Sequence, residues 1–422
     1  MLKKVFVAFL PILVLFLLAG PRSLVGSAAV LAKTQAANAS TRTNRITLTV
    51  KGNQVITPSG KPYIPEGISI YGGLEESTYA INLNNIDAQI KAAATYWHAN
   101  TIRLQVAESN LFSGLKSGET YNVSFMNELI REVNLSRRLN MAVVINDQTE
   151  FTNNTPNPTA MTARFWKIVG NEFANRPYII FDLFNEPRLL NATNSYQTTY
   201  NDRLIRVLLN AKIKRHARSV NRPHLIMKLS QIWSVWKYGG TVGGVKYLGM
   251  QTLINQIRSH KINNLIWAEG PFWGQRLPYG KYLLAGNNIE YSFHHINLNR
   301  ISAWKFIGQL AASRPVVDGE WSQYQSPWQE CYRSAPVNVP KYLNYLKQHN
   351  VGVIAWSLQA GSLLKGDPRI IPANNNSAND RQFAYQLRTP SRFSQHYACN
   401  DQFGQGAGQL ILNYFSLNSH PV

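Results

Sequence analysis

The sequence predicts a single (β/α)8 barrel of the TIM type, with an N-terminal β-hairpin and a long insertion after the fourth strand. Three observations indicate this class. Apolar runs of five to seven residues alternate with amphipathic stretches of helical periodicity, which is typical of repeated βα units. Eight candidate barrel strands can be counted. The length of 422 residues suits one barrel at the upper side of the usual range, and no Pro/Ser-rich linker separates a second domain.

The first predicted element is a hairpin around Lys51-Gly52-Asn53, with a further turn at Pro58-Ser59-Gly60. Eight barrel strands follow, at residues 67–71, 101–106, 141–146, 178–184, 264–270, 289–294, 315–320 and 352–358. Apolar positions three or four residues apart predict helices between them, as at Phe125, Leu129, Val133 and at Phe165, Ile168, Val169, Phe173.

One interval between predicted strands is much longer than the others. Roughly eighty residues separate the fourth and fifth predicted strands, and they include Trp233, Trp236 and a predicted turn at Gly239-Gly240. Long insertions in compact domains are usually functional. If this one leaves the C-terminal end of the fourth strand, it lies beside the face on which barrel enzymes carry their active sites.

Residues 1–39 are predicted to be a secretory signal with a short leader, and residues 40–422 the barrel. Lys3 and Lys4 precede an apolar run over 5–19, which Gly20 and Pro21 end. The run is shorter than the ~20 residues that a membrane-spanning helix needs. We therefore expect the leader to be cleaved and the protein to be secreted to the extracellular space, without stable membrane insertion.

The composition excludes several other classes. With 45% hydrophobic residues the chain is not wholly disordered, and two cysteines are too few for a disulfide framework or a four-cysteine zinc site. In an oxidising compartment Cys331 and Cys399 can pair, and the alternative is two buried thiols.

The charge is strongly positive. Lys and Arg number 43 against 22 Asp and Glu, a formal charge of +21. The densest basic stretch has apolar residues at helical spacing between its charges, which is typical of the solvated face of a helix. It contains Lys212, Lys214, Arg215 and Arg218. We expect no nucleic-acid partner, and interpret the charge as serving solubility or adhesion to an anionic matrix.

Two carboxylates end predicted barrel strands. Glu186 closes YIIFDLFNEP directly after Asn185, and Glu320 closes PVVDGEW. A single strand-end glutamate is more simply an ion pair at the rim. Because the fourth and seventh strands lie across a closed barrel, two such acids can face each other over its mouth, as glycoside hydrolysis requires.

At these residues the sequence resembles glycoside hydrolase family 5 and its retaining relatives, over essentially the whole mature chain. The most specific element is Asn185-Glu186-Pro187 after an apolar strand, supported by Arg103 in NTIRLQV and Trp356 in GVIAWSL. The resemblance implies a set of roles: Glu186 as acid/base, Glu320 as nucleophile, Asn185 as donor to the sugar 2-hydroxyl, Arg103 as support for the nucleophile, His294 as part of the subsite and Trp356 as a stacking platform. Trp273 is a further candidate aromatic near the rim.

Some positions depart from the family pattern. Gln148 stands where the family usually has a histidine near the end of strand three, and His294-His295-Ile296 replaces a His-x-Tyr. These changes leave both acids in place, but the family pattern then no longer specifies which substrate is cleaved. The chain is similar to a secreted bacterial subgroup with GEWSQY, a nearby cysteine and a later cysteine before GQGAGQ, and that resemblance implies a Cys331–Cys399 disulfide.

We expect no metal and no other cofactor, because adjacent histidines on a strand point to opposite faces and no third ligand has suitable spacing. Our first hypothesis is a monomeric, secreted, retaining endo-glycosidase acting on a β-linked polysaccharide or oligosaccharide. The alternatives are a transglycosylase with the same site, a non-catalytic carbohydrate-binding barrel, and an adhesin held to anionic wall polymers by charge.

Overall fold

The structure is a computed structural model. The structure describes residues 47–76, 83–149, 155–188, 229–294, 301–322, 324–326, 330–331, 335–359, 362–365, 386–393 and 406–418. They belong to one compact unit, Ile46–Val422. The predicted leader and the basic stretch at 212–218 lie outside the described residues. Among the helices of the described residues, none combines the length and the apolar composition of a membrane span.

In chain order the described strands are β1 (Thr49–Lys51), β2 (Gln54–Ile56), β3 (Pro62–Tyr63), β4 (Glu66–Ser69), β5 (Thr101–Val106), β6 (Ala142–Asp147), β7 (Ile179–Asp182), β8 (Gly239–Val242), β9 (Val245–Leu248), β10 (Leu265–Glu269), β11 (Ile289–His294), β12 (Val316–Trp321), β13 (Tyr324–Ser326), β14 (Glu330–Cys331) and β15 (Gly352–Ala355). The described α-helices are α1 (Leu83–Thr95), α2 (Glu108–Phe112), α3 (Val123–Arg138), α4 (Ala160–Glu172), α5 (Leu229–Tyr238), α6 (Met250–Ser259), α7 (Lys305–Ala311), α8 (Ala335–Gln348) and α9 (Gly408–Asn418).

Eight parallel strands close into a barrel in the order β10-β11-β12-β15-β4-β5-β6-β7. These are the eight strands counted in the sequence, so the predicted (β/α)8 fold is confirmed. Side chains of each strand alternate between the barrel interior and the helical layer. Along β6, for example, Val144 belongs to the inner apolar cluster, whereas Val143 and Ile145 belong to the outer one.

The N-terminal strands form an antiparallel ladder β1-β2-β3. The predicted hairpin is therefore confirmed, and a third short strand extends it. Leu48, Val55 and Tyr63 belong to the inner apolar cluster, and the Tyr63 hydroxyl lies 2.7 Å from Oγ1 of Thr101, the first residue of β5. The ladder thus closes the N-terminal end of the barrel and leaves the opposite end for the site.

The predicted helices around Phe125 and Phe165 are α3 and α4. Both begin at a polar cap: the Asn122 side chain accepts from the Phe125 amide, and the Thr159 side chain accepts from the Met161 amide. Such caps satisfy amides that have no partner within the helix. Their apolar faces pack on the barrel and hold the strands in place.

The insertion after β7 is described from residue 229 onward, as α5, the hairpin β8-β9 and α6. The prediction of a turn at Gly239-Gly240 is wrong, because both residues belong to β8, which follows α5 directly. A Cβ on Gly239 would lie 2.7 Å from the Tyr247 carbonyl oxygen, so glycine is required by the approach of β9. The hairpin turn is at Gly243-Gly244, both with positive φ, as a tight hairpin turn requires.

Cys331 lies in the two-stranded ladder β13-β14, opposite Tyr324. Its predicted partner, Cys399, is outside the described residues. The Cys331–Cys399 disulfide therefore stays a prediction.

Candidate active site

Five of the predicted site residues meet at the C-terminal end of the barrel. Arg103 lies on β5, Asn185 and Glu186 follow β7, His294 ends β11 and Glu320 lies on β12. All five side chains are buried. They converge because parallel strands of one barrel end at the same rim, whatever their separation in the sequence.

The two glutamates lie close together. One carboxylate oxygen of Glu186, one of Glu320 and one ring nitrogen of His294 are all within 4.8 Å of one another. Each glutamate is 6% exposed, so a substrate can reach its carboxylate while bulk water is largely excluded. This pair can act together on one bond of a bound molecule.

The backbone at Glu186 has an uncommon conformation. Its φ is 45°, in the left-handed region that non-glycine residues rarely adopt. The Glu186 amide donates to Oε2 of Glu269 over 2.6 Å, and the preceding amide, of Asn185, donates to the Asp147 carbonyl over 2.9 Å. These hydrogen bonds hold the turn that brings the Glu186 side chain to Glu320 and His294.

Arg103 is the central cation of the site. Its Nη1 donates to Glu320 Oε2 over 2.8 Å, and its Nη2 donates to Asn185 Oδ1 over 2.6 Å. The guanidinium also contacts Glu269 at 3.1 Å and, through Nε, Asp182 at 3.1 Å. Burial alone would lower the pKa of Arg103, but the surrounding carboxyl groups raise it, so the side chain stays charged. The planar fork thereby orients several acceptors at once.

His294 lies between two carboxyl groups. Its Nδ1 is 3.3 Å from Glu186 Oε1, and its Nε2 is 3.1 Å from Glu269 Oε1. Burial alone would lower the pKa of His294. The Glu269 charge, together with the hydrogen bond to Glu186, outweighs burial and raises that pKa well above its ordinary value, which favours the protonated ring.

Glu269 is a functional candidate that the sequence analysis missed. It is fully buried at the end of β10 and contacts Arg103, His294 and the Glu186 amide. Although burial opposes its ionisation, the charge of His294 and the hydrogen bonds it receives lower its pKa. For its buried neighbour Asp182, burial and the Glu269 charge raise the pKa, so the two opposite shifts favour ionisation of Glu269 over that of Asp182. The available signal was the same as for Glu320, an acid that closes an apolar strand.

Glu186, His294 and Glu320 offer three potential metal-ligating atoms, a combination that the sequence analysis did not foresee. Two features of the site disfavour a metal among them. The Arg103 guanidinium already occupies one oxygen of Glu320, and the neighbouring carboxyl groups raise the pKa of His294, which favours a protonated ring without a lone pair for a metal. The arrangement suits a pair of carboxyl groups with cationic neighbours better than a metal centre.

The three other predicted residues lie around this cluster. Gln148 is buried after β6 and accepts from Gln105 over 2.9 Å. Trp273 is half-buried in the loop after β10, and its amide donates to the Pro187 carbonyl over 3.1 Å. Trp356 is half-buried after β15, with its ring 6.2 Å from that of Tyr71 at 89°. Both tryptophans thus offer ring surface at the rim.

The chain matches the family model described as Cellulase (glycosyl hydrolase family 5) over residues 60–362. Among solved structures it is similar to a protein from Cytophaga hutchinsonii, with 14% identity, a TM-score of 0.51, and coverage of 88% of this chain and 94% of the other. It is also similar to a beta-glucanase from Saccharophagus degradans in complex with cellotetraose, with 14% identity, a TM-score of 0.50, and coverage of 82% and 95%. At this identity the likeness concerns the fold alone. Among curated proteins, none matches the sequence.

Proposed function

Since the chain belongs to glycosyl hydrolase family 5 and is a glycoside hydrolase, we propose that it cleaves a β-linked polysaccharide by double displacement, with Glu186 and Glu320 as the two catalytic carboxyls. Its Cellulase family model and the cellotetraose bound by a solved protein of the same fold favour a β-glucan among such substrates. We further propose that the protein is secreted, on the evidence of the predicted leader.

The separation of the two acids carries the proposal. Retaining glycosidases have their carboxyl groups about 5–5.5 Å apart, whereas inverting enzymes leave about 6.5–9.5 Å for a water molecule. Oxygens of Glu186 and Glu320 lie within 4.8 Å of each other. This spacing supports direct attack by one carboxylate on the sugar.

In the first step Glu320 attacks the anomeric carbon while the bond to the leaving oxygen breaks, and Glu186 gives its proton to that oxygen. In the second step Glu186 takes a proton from water, the hydroxide oxygen bonds to the anomeric carbon, and the ester bond to Glu320 breaks. The sugar leaves with retained configuration. Arg103, which donates to Glu320, orients the nucleophile for both steps.

Asn185 is placed to bind the sugar beside the reacting carbon. Its Oδ1 accepts from Arg103, so its Nδ2 lies on the opposite branch of the amide and can donate to the sugar 2-hydroxyl. That hydrogen bond strengthens as positive charge develops in the transition state. Trp356 presents a half-buried ring on which a pyranose can stack.

The test is hydrolysis of soluble β-glucan, mannan and xylan, followed by NMR of the first-formed products. We expect reducing ends from at least one polysaccharide, with β-anomers appearing before mutarotation. Products of inverted configuration, or no product from any β-linked polysaccharide, would contradict the proposal. Longer products at high substrate concentration would identify transglycosylation at the same site.

A further inference from the structure

Glu269 uses both carboxylate oxygens inside the site. Oε2 accepts the Glu186 amide over 2.6 Å, while Oε1 lies 3.1 Å from His294 Nε2 and 3.1 Å from Arg103 Nη2. The side chain is fully buried, so water does not compete for these contacts. A buried carboxylate with three donors in contact is fixed in one orientation.

Two of these contacts lead to the same residue. The first holds the Glu186 backbone in its left-handed conformation, with φ of 45°. The second is the contact with Nε2 of His294, whose other ring nitrogen, Nδ1, is 3.3 Å from Glu186 Oε1. Glu269 thus acts on both the backbone and the carboxyl group of Glu186, the proposed acid/base.

The loop after Glu269 packs against the turn that contains Glu186. The Trp273 amide donates to the carbonyl of Pro187, and the His294 amide donates to the carbonyl of Gly274 over 3.0 Å. A Cβ on Gly274 would lie 2.9 Å from the His294 ring, so this loop packs tightly against the imidazole. The end of β10 and its loop therefore support Glu186 from one side of the barrel.

We propose that Glu269 is a positioning residue of this glycosidase, which aims the Glu186 carboxyl group at the leaving oxygen through the Glu186 amide and through His294. This inference rests on the proposed function. Glu269 touches no reacting atom and transfers no proton. It acts on the step in which Glu186 donates its proton.

A purely structural role would have a different consequence. If Glu269 served only to balance the buried Arg103 charge, its substitution would impair all substrates to the same degree. A positioning role predicts selective loss with substrates whose leaving group needs a proton. General acid catalysis contributes on the order of 10²–10⁴ to the rate, and a leaving group that departs as a stable anion does not need it.

The experiment compares kcat/KM for phenyl β-cellobioside, whose leaving group needs the proton, with that for 2,4-dinitrophenyl β-cellobioside, whose leaving group does not. For Glu269→Gln we expect a fall on the order of 100-fold with the phenyl substrate and less than about threefold with the dinitrophenyl substrate. The ratio of the two values does not depend on how much of a preparation is folded. Glu269→Asp keeps the charge beside Arg103 with a shorter side chain, and we expect the same selective loss.

Glu290→Gln is the matched control, since Glu290 is also a buried carboxyl group of the barrel interior and accepts from Trp267, outside the Glu186 cluster. We expect it to leave the ratio unchanged. Glu186→Gln is the reference variant, because removal of the acid itself should give the largest fall in kcat/KM with the phenyl substrate relative to the dinitrophenyl substrate. Equal falls with both substrates, or no fall, in both Glu269 variants would overturn the positioning role. If instead Glu186→Gln lacked the selective loss, the proposed function itself would fail.

Discussion

Arg103 Nη1 donates to Glu320 Oε2 over 2.8 Å, and this hydrogen bond joins two strands, β5 and β12, that lie three positions apart around the closed barrel. The same guanidinium donates to Asn185 over 2.6 Å. One buried cation therefore sets the relative position of the proposed nucleophile and of the side chain proposed to bind the 2-hydroxyl. Donation from both Nη atoms of one planar group to two separate side chains requires arginine rather than any cation.

Arg103→Lys should consequently reduce kcat on the order of 100-fold or more, although it conserves the charge. A lysine ammonium cannot reach the same set of acceptors in a planar fork. Arg258→Lys is the control, because Arg258 donates to backbone carbonyls at the start of β10 and β11, away from the rim. We expect that variant to change the melting temperature but not kcat. Near-normal kcat in Arg103→Lys would exclude the orienting role.

The nucleophile can be identified chemically. A 2-deoxy-2-fluoro-β-cellobioside with a good leaving group should form a glycosyl ester on Glu320 that hydrolyses slowly, since the fluorine destabilises the positively charged transition state. We expect peptide mass spectrometry to locate the added sugar on Glu320. Glu320→Ala should remove both the adduct and nearly all hydrolysis while the circular dichroism spectrum stays unchanged. An adduct on another residue would assign the nucleophile elsewhere.

The barrel was predictable because most of its strands are mainly apolar runs bounded by polar residues, a pattern that the burial of parallel strands dictates. The pair of acids was visible for the same reason, as Glu186 and Glu320 each close such a run. Glu269 was missed although it closes LIWAE in the same way. Its partners come from β5 and β11 and from the turn after β7, and a linear sequence does not show which strand ends face one another.

The glycines of the insertion illustrate a second limit. Gly239 and Gly243 both have positive φ, but only the latter lies in the hairpin turn. At Gly239 the backbone of β9 passes where a side chain would stand. The sequence shows a glycine at both positions, but only the tertiary structure shows which glycine forms a turn and which allows a close approach of another strand.

Trp356 should contribute to binding more than to chemistry. We expect Trp356→Ala to raise KM for cello-oligosaccharides roughly tenfold, equivalent to about 1.4 kcal/mol, with a smaller change in kcat. The KM of Trp356→Phe should lie between those of wild type and Trp356→Ala. Tyr238→Ala is a suitable control, since Tyr238 is 59% exposed and lies on the insertion. A fall in kcat without a rise in KM would instead place the Trp356 ring in the chemical step.

A last prediction concerns stability and pH. Glu290 is buried in the barrel interior, where its Oε2 accepts from Trp267 Nε1 over 2.7 Å. Burial raises its pKa from 4.5 to about 8, and the Trp267 hydrogen bond offsets this only in part. The unfolded chain loses this proton near pH 4.5 and the folded chain only near pH 8. The free energy of unfolding therefore has its full value below about pH 4.5, falls as the pH rises from there through about 8, and has lost this contribution above it.

Glu290→Gln removes this titration while its amide oxygen can still accept from Trp267. Because each pKa unit corresponds to about 1.4 kcal/mol, we expect the variant to be more stable than the wild type at pH 8 by up to a few kcal/mol, and equal or slightly less stable at pH 4. Thermal melting at intervals between these pH values measures the difference. The exposed Glu76, changed to glutamine, is the matched control for the loss of one carboxyl group. If the melting temperatures of wild type and Glu290→Gln differed by the same amount at every pH in this range, Glu290 would have to be ionised in the folded barrel.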